Sequence, residues 1–212
     1  MKLSAFGKSV KGADHQFDED SMLIDKKKNL FAVADGVTHP HGGKEAAVRS
    51  CKYLQKLFKG DLRECFKKIN VQILKDKEKV VIGYTTLTAV YFEETLLKVA
   101  NVGDSPAYLA NGDRIFRLTG NDRIFGTSSL SQAIGQENIN VHYEEDKFGI
   151  GSYVVILTDG VTDMLNKDEI FYLIKKHKIP RNIVSAILKK VAERPPVYND
   201  DKTVIVLQLK EK

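Results

Sequence analysis

Over the first thirty-five residues apolar positions come in short runs broken by turn formers, the pattern of strands. Ser21 to Ile24 and Leu30 to Ala34 flank Asp25-Lys26-Lys27-Lys28-Asn29 and read as a hairpin. The period then changes. Ala47, Cys51, Leu54 and Phe58 are spaced i, i+4, i+7, i+11, and Leu62, Phe66, Ile69 and Ile73 repeat that spacing. Lys59-Gly60 separates the two stretches, and Asp61 with Glu64 resembles a capping box, so an antiparallel helix pair is predicted. Strand patterns return in Thr85 to Phe92, Leu96 to Val102, Ala107 to Ala110, Arg114 to Leu118, Asn140 to Glu144 and Tyr153 to Leu157. Asn166, with Glu169 three residues on, opens a further helix that buries Ile170, Phe171 and Ile174. Ile183, Val184, Ile187, Leu188 and Val191 mark a last helix, stopped by Pro195-Pro196, and Thr203 to Leu209 closes the pattern as a strand.

Strand runs separated by helix pairs favour an α+β fold over strict βαβ alternation. Tyr153 to Leu157 is apolar on both faces, as in a sheet covered on both sides. The economical arrangement is an α-β-β-α four-layer sandwich, a central antiparallel β-sandwich flanked by two helix pairs. No repeat, linker or low-complexity tract divides the chain, so residues 1–212 are read as one domain.

Composition adds exclusions. With 42% apolar and 29% charged residues the chain has the balance of a globular protein and not of a disordered one. No apolar stretch approaches the roughly 18 residues of a membrane helix, and no secretory signal is visible. The two cysteines, Cys51 and Cys65, suit small core residues in a reducing cytoplasm better than a disulfide framework. The net charge of +5 comes from scattered lysines interleaved with acids, as in Lys75-Asp76-Lys77-Glu78-Lys79. That makes a solvated surface rather than the concentrated stripe of a nucleic-acid binder.

Candidate chemistry lies at the strand ends, where acids recur: Asp18-Glu19-Asp20, Asp35-Gly36, Gly103-Asp104, Asp159-Gly160 and Asn199-Asp200-Asp201. Each alone is an ordinary turn former. If the ends converge, the same residues form a set of hard oxygen ligands whose repulsion calls for divalent cations, Mg²⁺ or Mn²⁺ rather than zinc. Spacing leaves both readings open.

Several blocks in order resemble the type 2C, metal-dependent (PPM) protein phosphatases. They are Phe31-Ala32-Val33-Ala34-Asp35-Gly36, Gly83-Tyr84-Thr85-Thr86-Leu87, Ala100-Asn101-Val102-Gly103-Asp104-Ser105-Pro106-Ala107-Tyr108-Leu109, Leu157-Thr158-Asp159-Gly160-Val161-Thr162-Asp163 and Asp200-Asp201-Lys202-Thr203-Val204-Ile205-Val206. The resemblance implies a phosphoserine/phosphothreonine protein phosphatase acting through a hydroxide that bridges two metal ions. It assigns Asp35 to both ions, the Gly36 carbonyl to one, Asp159 and Asp200 to the other, and Asp20 and Glu19 to metal-bound waters. Asp104 with Asp159 resembles the site of a third, weaker ion. A phosphorylated protein substrate and a cognate Ser/Thr kinase would follow.

Two departures stand out. His15 takes the position where many relatives carry a phosphate-gripping Arg, and it lacks that residue's permanent charge and planar fork. The segment Gly120 to Leu130 is a shortened flap, like the compact bacterial branch that acts on folded partner proteins. His39 and His41, just after Asp35-Gly36, are candidates for the leaving-group acid. The competing readings are a metal-binding regulatory module of the same fold with little or no turnover, and a nuclease or small-phosphoester hydrolase favoured only by the basic charge.

Overall fold

Alternation along single strands builds the layers of the computed structural model, which describes residues 2–39, 41–127, 129–195 and 199–211. In β3 (Leu30–Ala34) every residue is buried. Leu30, Ala32 and Ala34 face one apolar cluster, and Phe31 and Val33 face another. Since strand neighbours point to opposite sides, a strand apolar throughout must have cover on both faces. β9 (Tyr153–Leu157) behaves the same way: Val154 and Ile156 join the cluster shared with β3, whereas Val155 and Leu157 join a third.

The remaining elements are β1 (Lys2–Val10), β2 (Ser21–Asp25), α1 (Gly43–Leu57), α2 (Leu62–Lys77), β4 (Leu87–Glu93), β5 (Leu96–Val102), β6 (Ala107–Asn111), β7 (Arg114–Arg117), β8 (His142–Lys147), α3 (Asp159–Thr162), α4 (Lys167–His177), α5 (Pro180–Ala192) and β10 (Lys202–Lys210). They form two five-stranded antiparallel sheets, ordered β1-β10-β9-β6-β7 and β2-β3-β4-β5-β8. The helix pair α1–α2 packs on the second sheet through Ala47, Leu54, Phe66 and Ile69. The pair α4–α5 covers the first through Ile170, Ile174, Ile183 and Ile187. The expected four-layer sandwich is therefore present.

Local signals behave as their chemistry requires. Asp61 caps α2 by accepting from the Glu64 N–H at 3.1 Å. Asn166 and Glu169 form a reciprocal capping box at α4. The differences lie at margins. β1 is a nine-residue strand although its sequence, with Lys2, Ser4, Gly7, Lys8 and Ser9 among Leu3, Ala5, Phe6 and Val10, gives only a weak alternation; its pairing with β10 from Lys2–Lys210 to Val10–Lys202 supplies the order. β4 begins at Leu87 rather than Thr85, because Thr85 bridges Gly36 and Ile134 individually. β8 starts at His142 rather than Asn140. The one-turn α3 after β9 has no sequence pattern of its own. Of the two residues expected to stop α5, Pro196 lies outside the described residues, as does Pro40 between His39 and His41.

The antiparallel register puts the acids at one end. Ser21 pairs with Ala34, so Asp20 and Asp35 flank the same end of the β2–β3 pair. Leu87 pairs with Val102, which brings Gly103-Asp104 to that end as well. In the other sheet Val204 pairs with Leu157, so Asp159 and Asp200 sit together.

Candidate metal centre

Asp35 lies among Asp20, Asp159, Asp200 and Asp104. Burial and then the charges of those four, in that order of weight, hold its carboxyl well above the ordinary aspartate range. Strand-end acids remote in sequence are thus brought together. The backbone around Asp35 is fixed by threonines: its N–H donates to Thr86 Oγ1 at 3.0 Å, and Thr85 Oγ1 donates to its carbonyl at 2.8 Å. Thr86 Oγ1 in turn meets Ser105 Oγ at 2.8 Å, tying the Asp35 strand end to the Asp104 turn. Gly36 follows in a cradle with no room for a side chain. A Cβ there would lie 2.5 Å from the Gly43 carbonyl carbon and 2.7 Å from the Glu19 carbonyl oxygen.

Asp20 is buried, and its Oδ2 accepts from Thr158 Oγ1 at 2.9 Å across the two sheets. Burial, opposed by bonds from Thr203 and Thr158, keeps its carboxyl well above the usual range. At Asp159, burial and the neighbouring Asp104 and Asp200 push the carboxyl up to about 7, with Arg123 pulling it back. Asp200 is raised chiefly by burial.

Three oxygens in this region, Glu19 Oε2, Asp20 Oδ1 and Asp159 Oδ1, are buried without a hydrogen-bond partner. A buried carboxylate oxygen left unpaired is costly. Several on one cluster of like charges are what a cation-binding centre presents when its donors are all oxygen. The donors fit hard divalent ions.

His15, Asp200 and Asp201 each bring one ligand atom within 4.8 Å of the others, the only such trio among the described residues and a spacing at which they could share a metal ion. Asp201 is nevertheless already engaged. Its oxygens accept from the Gly12 N–H at 2.7 Å and the Glu19 N–H at 2.6 Å, and His15 Nδ1 lies 2.7 Å away. This buried carboxylate fixes the loop that carries Glu19 and Asp20. Among the described residues the other acids form no second trio within that spacing.

His15 is itself buried, and its Nε2 lies 3.4 Å from Asp200. Burial opposes its protonation, but the bond to Asp201 and the charges of Asp201, Asp200 and Glu19 prevail and raise its pKa. His39 and His41 are exposed on the loop between β3 and α1, with ring centroids 6.1 Å apart. Two residues of this region have no role of their own assigned above: Asp201, named only within Asn199-Asp200-Asp201 and the Asp200 to Val206 block, and Arg123. Asp201 has a signal, since a second acid beside Asp200 points to the opposite side of the chain. Arg123 has none: its guanidinium bonds Asp104 Oδ2 at 2.8 Å, Asp159 Oδ2 at 2.5 Å and Asp163 Oδ1 at 2.8 Å.

The whole fold recurs in solved bacterial proteins. Stp1, a serine/threonine phosphatase from Staphylococcus aureus, superposes with a TM-score of 0.88 at 19% identity, over 100% of this chain and 96% of its own. PppA, a regulatory component of the type VI secretion system in Pseudomonas aeruginosa, gives 0.87 at 16% identity over 98% of both chains. The catalytic domain of the phosphatase PstP, crystallised with two manganese ions, gives 0.84 at 21% identity over 99% of both. No curated protein matches the sequence significantly. Residues 25–210 match the family described as Stage II sporulation protein E. The chain therefore belongs to the SpoIIE family and has the PPM, type 2C phosphatase, fold.

Proposed function

We propose that the protein is a Mg²⁺- or Mn²⁺-dependent phosphatase of phosphoserine and phosphothreonine in proteins, residues 1–212 forming one catalytic domain that works in the cytoplasm. The observation that carries this reading is the gathering of Asp20, Asp35, Asp159, Asp200 and Asp104 around one space, with buried oxygens of Glu19, Asp20 and Asp159 unpartnered. Asp35, Asp159 and Asp200, with the Gly36 carbonyl, would hold two ions, and Glu19 and Asp20 would act through water. When bound, such a pair supplies an activated water at neutral pH and neutralises the phosphoryl oxygens.

The chain's own groups do the positioning. Thr158 fixes one oxygen of Asp20, and the other is buried without a hydrogen-bond partner. Asp201 holds the Glu19 backbone, and the Thr85–Thr86 pair holds Asp35. His39 or His41 would donate a proton to the departing seryl or threonyl oxygen, and their exposure suits contact with a folded substrate. The segment Gly120 to Leu130 is short, which leaves that approach open. No helix among the described residues is long and apolar enough to cross a membrane, and both cysteines are free and buried.

A regulatory module with little turnover is favoured by one observation. His15 is enclosed against Asp200 and Asp201 instead of being presented to a phosphate. Hydrolysis of p-nitrophenyl phosphate and of a phosphoserine protein, with manganese and with EDTA, separates the two. The proposal requires manganese-dependent release of phosphate that Asp35→Asn abolishes while circular dichroism is unchanged. Manganese binding without release would establish the module instead.

A further inference from the structure

The acids at the edge of the centre already have a cation. Arg123 comes from the loop between β7 and β8, and its guanidinium reaches carboxylates from two other places in the fold. Nε donates to Asp104 Oδ2 beyond β5, Nη2 to Asp159 Oδ2 at the start of α3, and Nη1 to both oxygens of Asp163 just after α3, at 2.8 and 3.1 Å. Asp104 is nearly enclosed, with 6% of its side chain exposed, and Arg123 retains 23%.

The loop is built to deliver this side chain. Asp122, next to it, is buried; its Oδ2 accepts from the Gly103 N–H at 2.8 Å, and its own N–H donates to the Gly103 carbonyl at 3.2 Å. Ser131 N–H donates to the Asp122 carbonyl at 2.6 Å, and His142 Nε2 meets Asp122 Oδ1 at 2.7 Å. The residue before Arg123 is thus pinned to the residue before Asp104. Arg117 adds a bond from Nη2 to the Asp104 carbonyl at 3.1 Å.

We propose that Arg123 is a built-in counter-ion that fills the position between Asp104 and Asp159, so that the centre takes two divalent ions and not three. This rests on the two-ion reading above. A guanidinium cannot lose its charge, and its planar fork matches several carboxylates at once. A third divalent ion would have to break three charge-assisted contacts and expel a fixed cation. Asp159 serves both sides. Its Oδ2 is spent on Arg123, while its Oδ1 is buried and unpartnered, free to serve an ion.

The test counts ions. Manganese bound per chain is measured by equilibrium dialysis with atomic absorption, up to millimolar free metal, for the unaltered protein and for Arg123→Gln. The expected stoichiometry is two for the former and three for the latter, returning to two in Arg123→Gln with Asp104→Asn. Arg123→Met carries the same expectation should the glutamine variant not fold. A third ion in the unaltered protein overturns the proposal. So does a natively folded Arg123→Gln that still takes only two. An unaltered protein that binds no manganese would defeat the two-ion reading and the proposal with it, a result distinguishable from either of the others.

Discussion

Replacing Asp159 by Asn separates the cost of the acid cluster from its use. In the folded chain the Asp159 carboxyl titrates at about 7 against an ordinary 3.8. Between these values the folded state keeps a proton that the unfolded chain has lost, so this residue's contribution to stability falls as pH rises through that window. The difference is about three pH units, which at about 1.4 kcal/mol each amounts to about 4 kcal/mol lost above pH 7. Asparagine removes that loss and keeps an acceptor for Arg123 Nη2. Its amide NH₂, however, takes the place of the buried, unpartnered Oδ1, an offset of about 1–3 kcal/mol. The net expectation at pH 8 in EDTA is a gain of about 2 kcal/mol, or a melting temperature raised by roughly 4–8 °C for a domain of this size. At pH 5 the carboxylate's penalty is about 2–3 kcal/mol smaller, because most of the wild-type carboxyl is then protonated in the fold, and the advantage should disappear. Saturating manganese should reverse the order. A ligand at a hundred times its Kd stabilises the wild type by about 2.7 kcal/mol, and the variant has lost one of the proposed donors. Calorimetry at pH 5 and pH 8, in EDTA and in manganese, gives all four comparisons. A variant that melts below the wild type at pH 8 in EDTA would refute the reasoning.

Gly36→Ala should lower the melting temperature and abolish manganese-induced stabilisation, since the new methyl would sit 2.5 Å from the Gly43 backbone and 2.7 Å from the Glu19 carbonyl; an unchanged manganese titration would show that the cradle is not part of the centre. Asn166→Ala should cost about 1 kcal/mol through loss of the α4 cap, a drop of roughly 2–4 °C with phosphatase activity unaffected; equal melting curves would mean that the capping box contributes nothing.

The layers were legible because burial leaves its mark on single strands. Leu30 to Ala34 has no polar residue, and such a segment can only lie between two covered faces. The helix stripes and the Asn166 cap follow from local geometry and need no tertiary information. β1 needed it: Lys2, Ser4 and Lys8 dilute its alternation, and its order comes from a partner, β10, about two hundred residues away. The five acids were legible as residues but not as neighbours, because their meeting depends on the packing of one sheet against the other. Asp201 sits beside Asp200, yet it is buried on backbone N–H groups of Gly12 and Glu19 whereas Asp200 is partly exposed. That difference belongs to chain direction in space.

The two basic side chains of the centre engage different acids. Arg123 engages Asp104, Asp159 and Asp163, and His15 engages Asp200 and Asp201. Among the described residues no ion pair reaches Glu19, Asp20 or Asp35. A cluster meant only to be stable would place a cation beside Asp35, which is buried among the charges of Asp20, Asp159, Asp200 and Asp104. Here the protein's own cations engage Asp104, Asp159, Asp163, Asp200 and Asp201, and Asp20 and Asp35 have none, so the electrostatic demand for external cations falls on the space around Asp35. That placement favours a small, fixed number of ions at the strand ends over a diffuse acidic surface, and it makes the sign of the Asp159 and Arg123 substitutions opposite: one lowers the demand for metal, the other enlarges it.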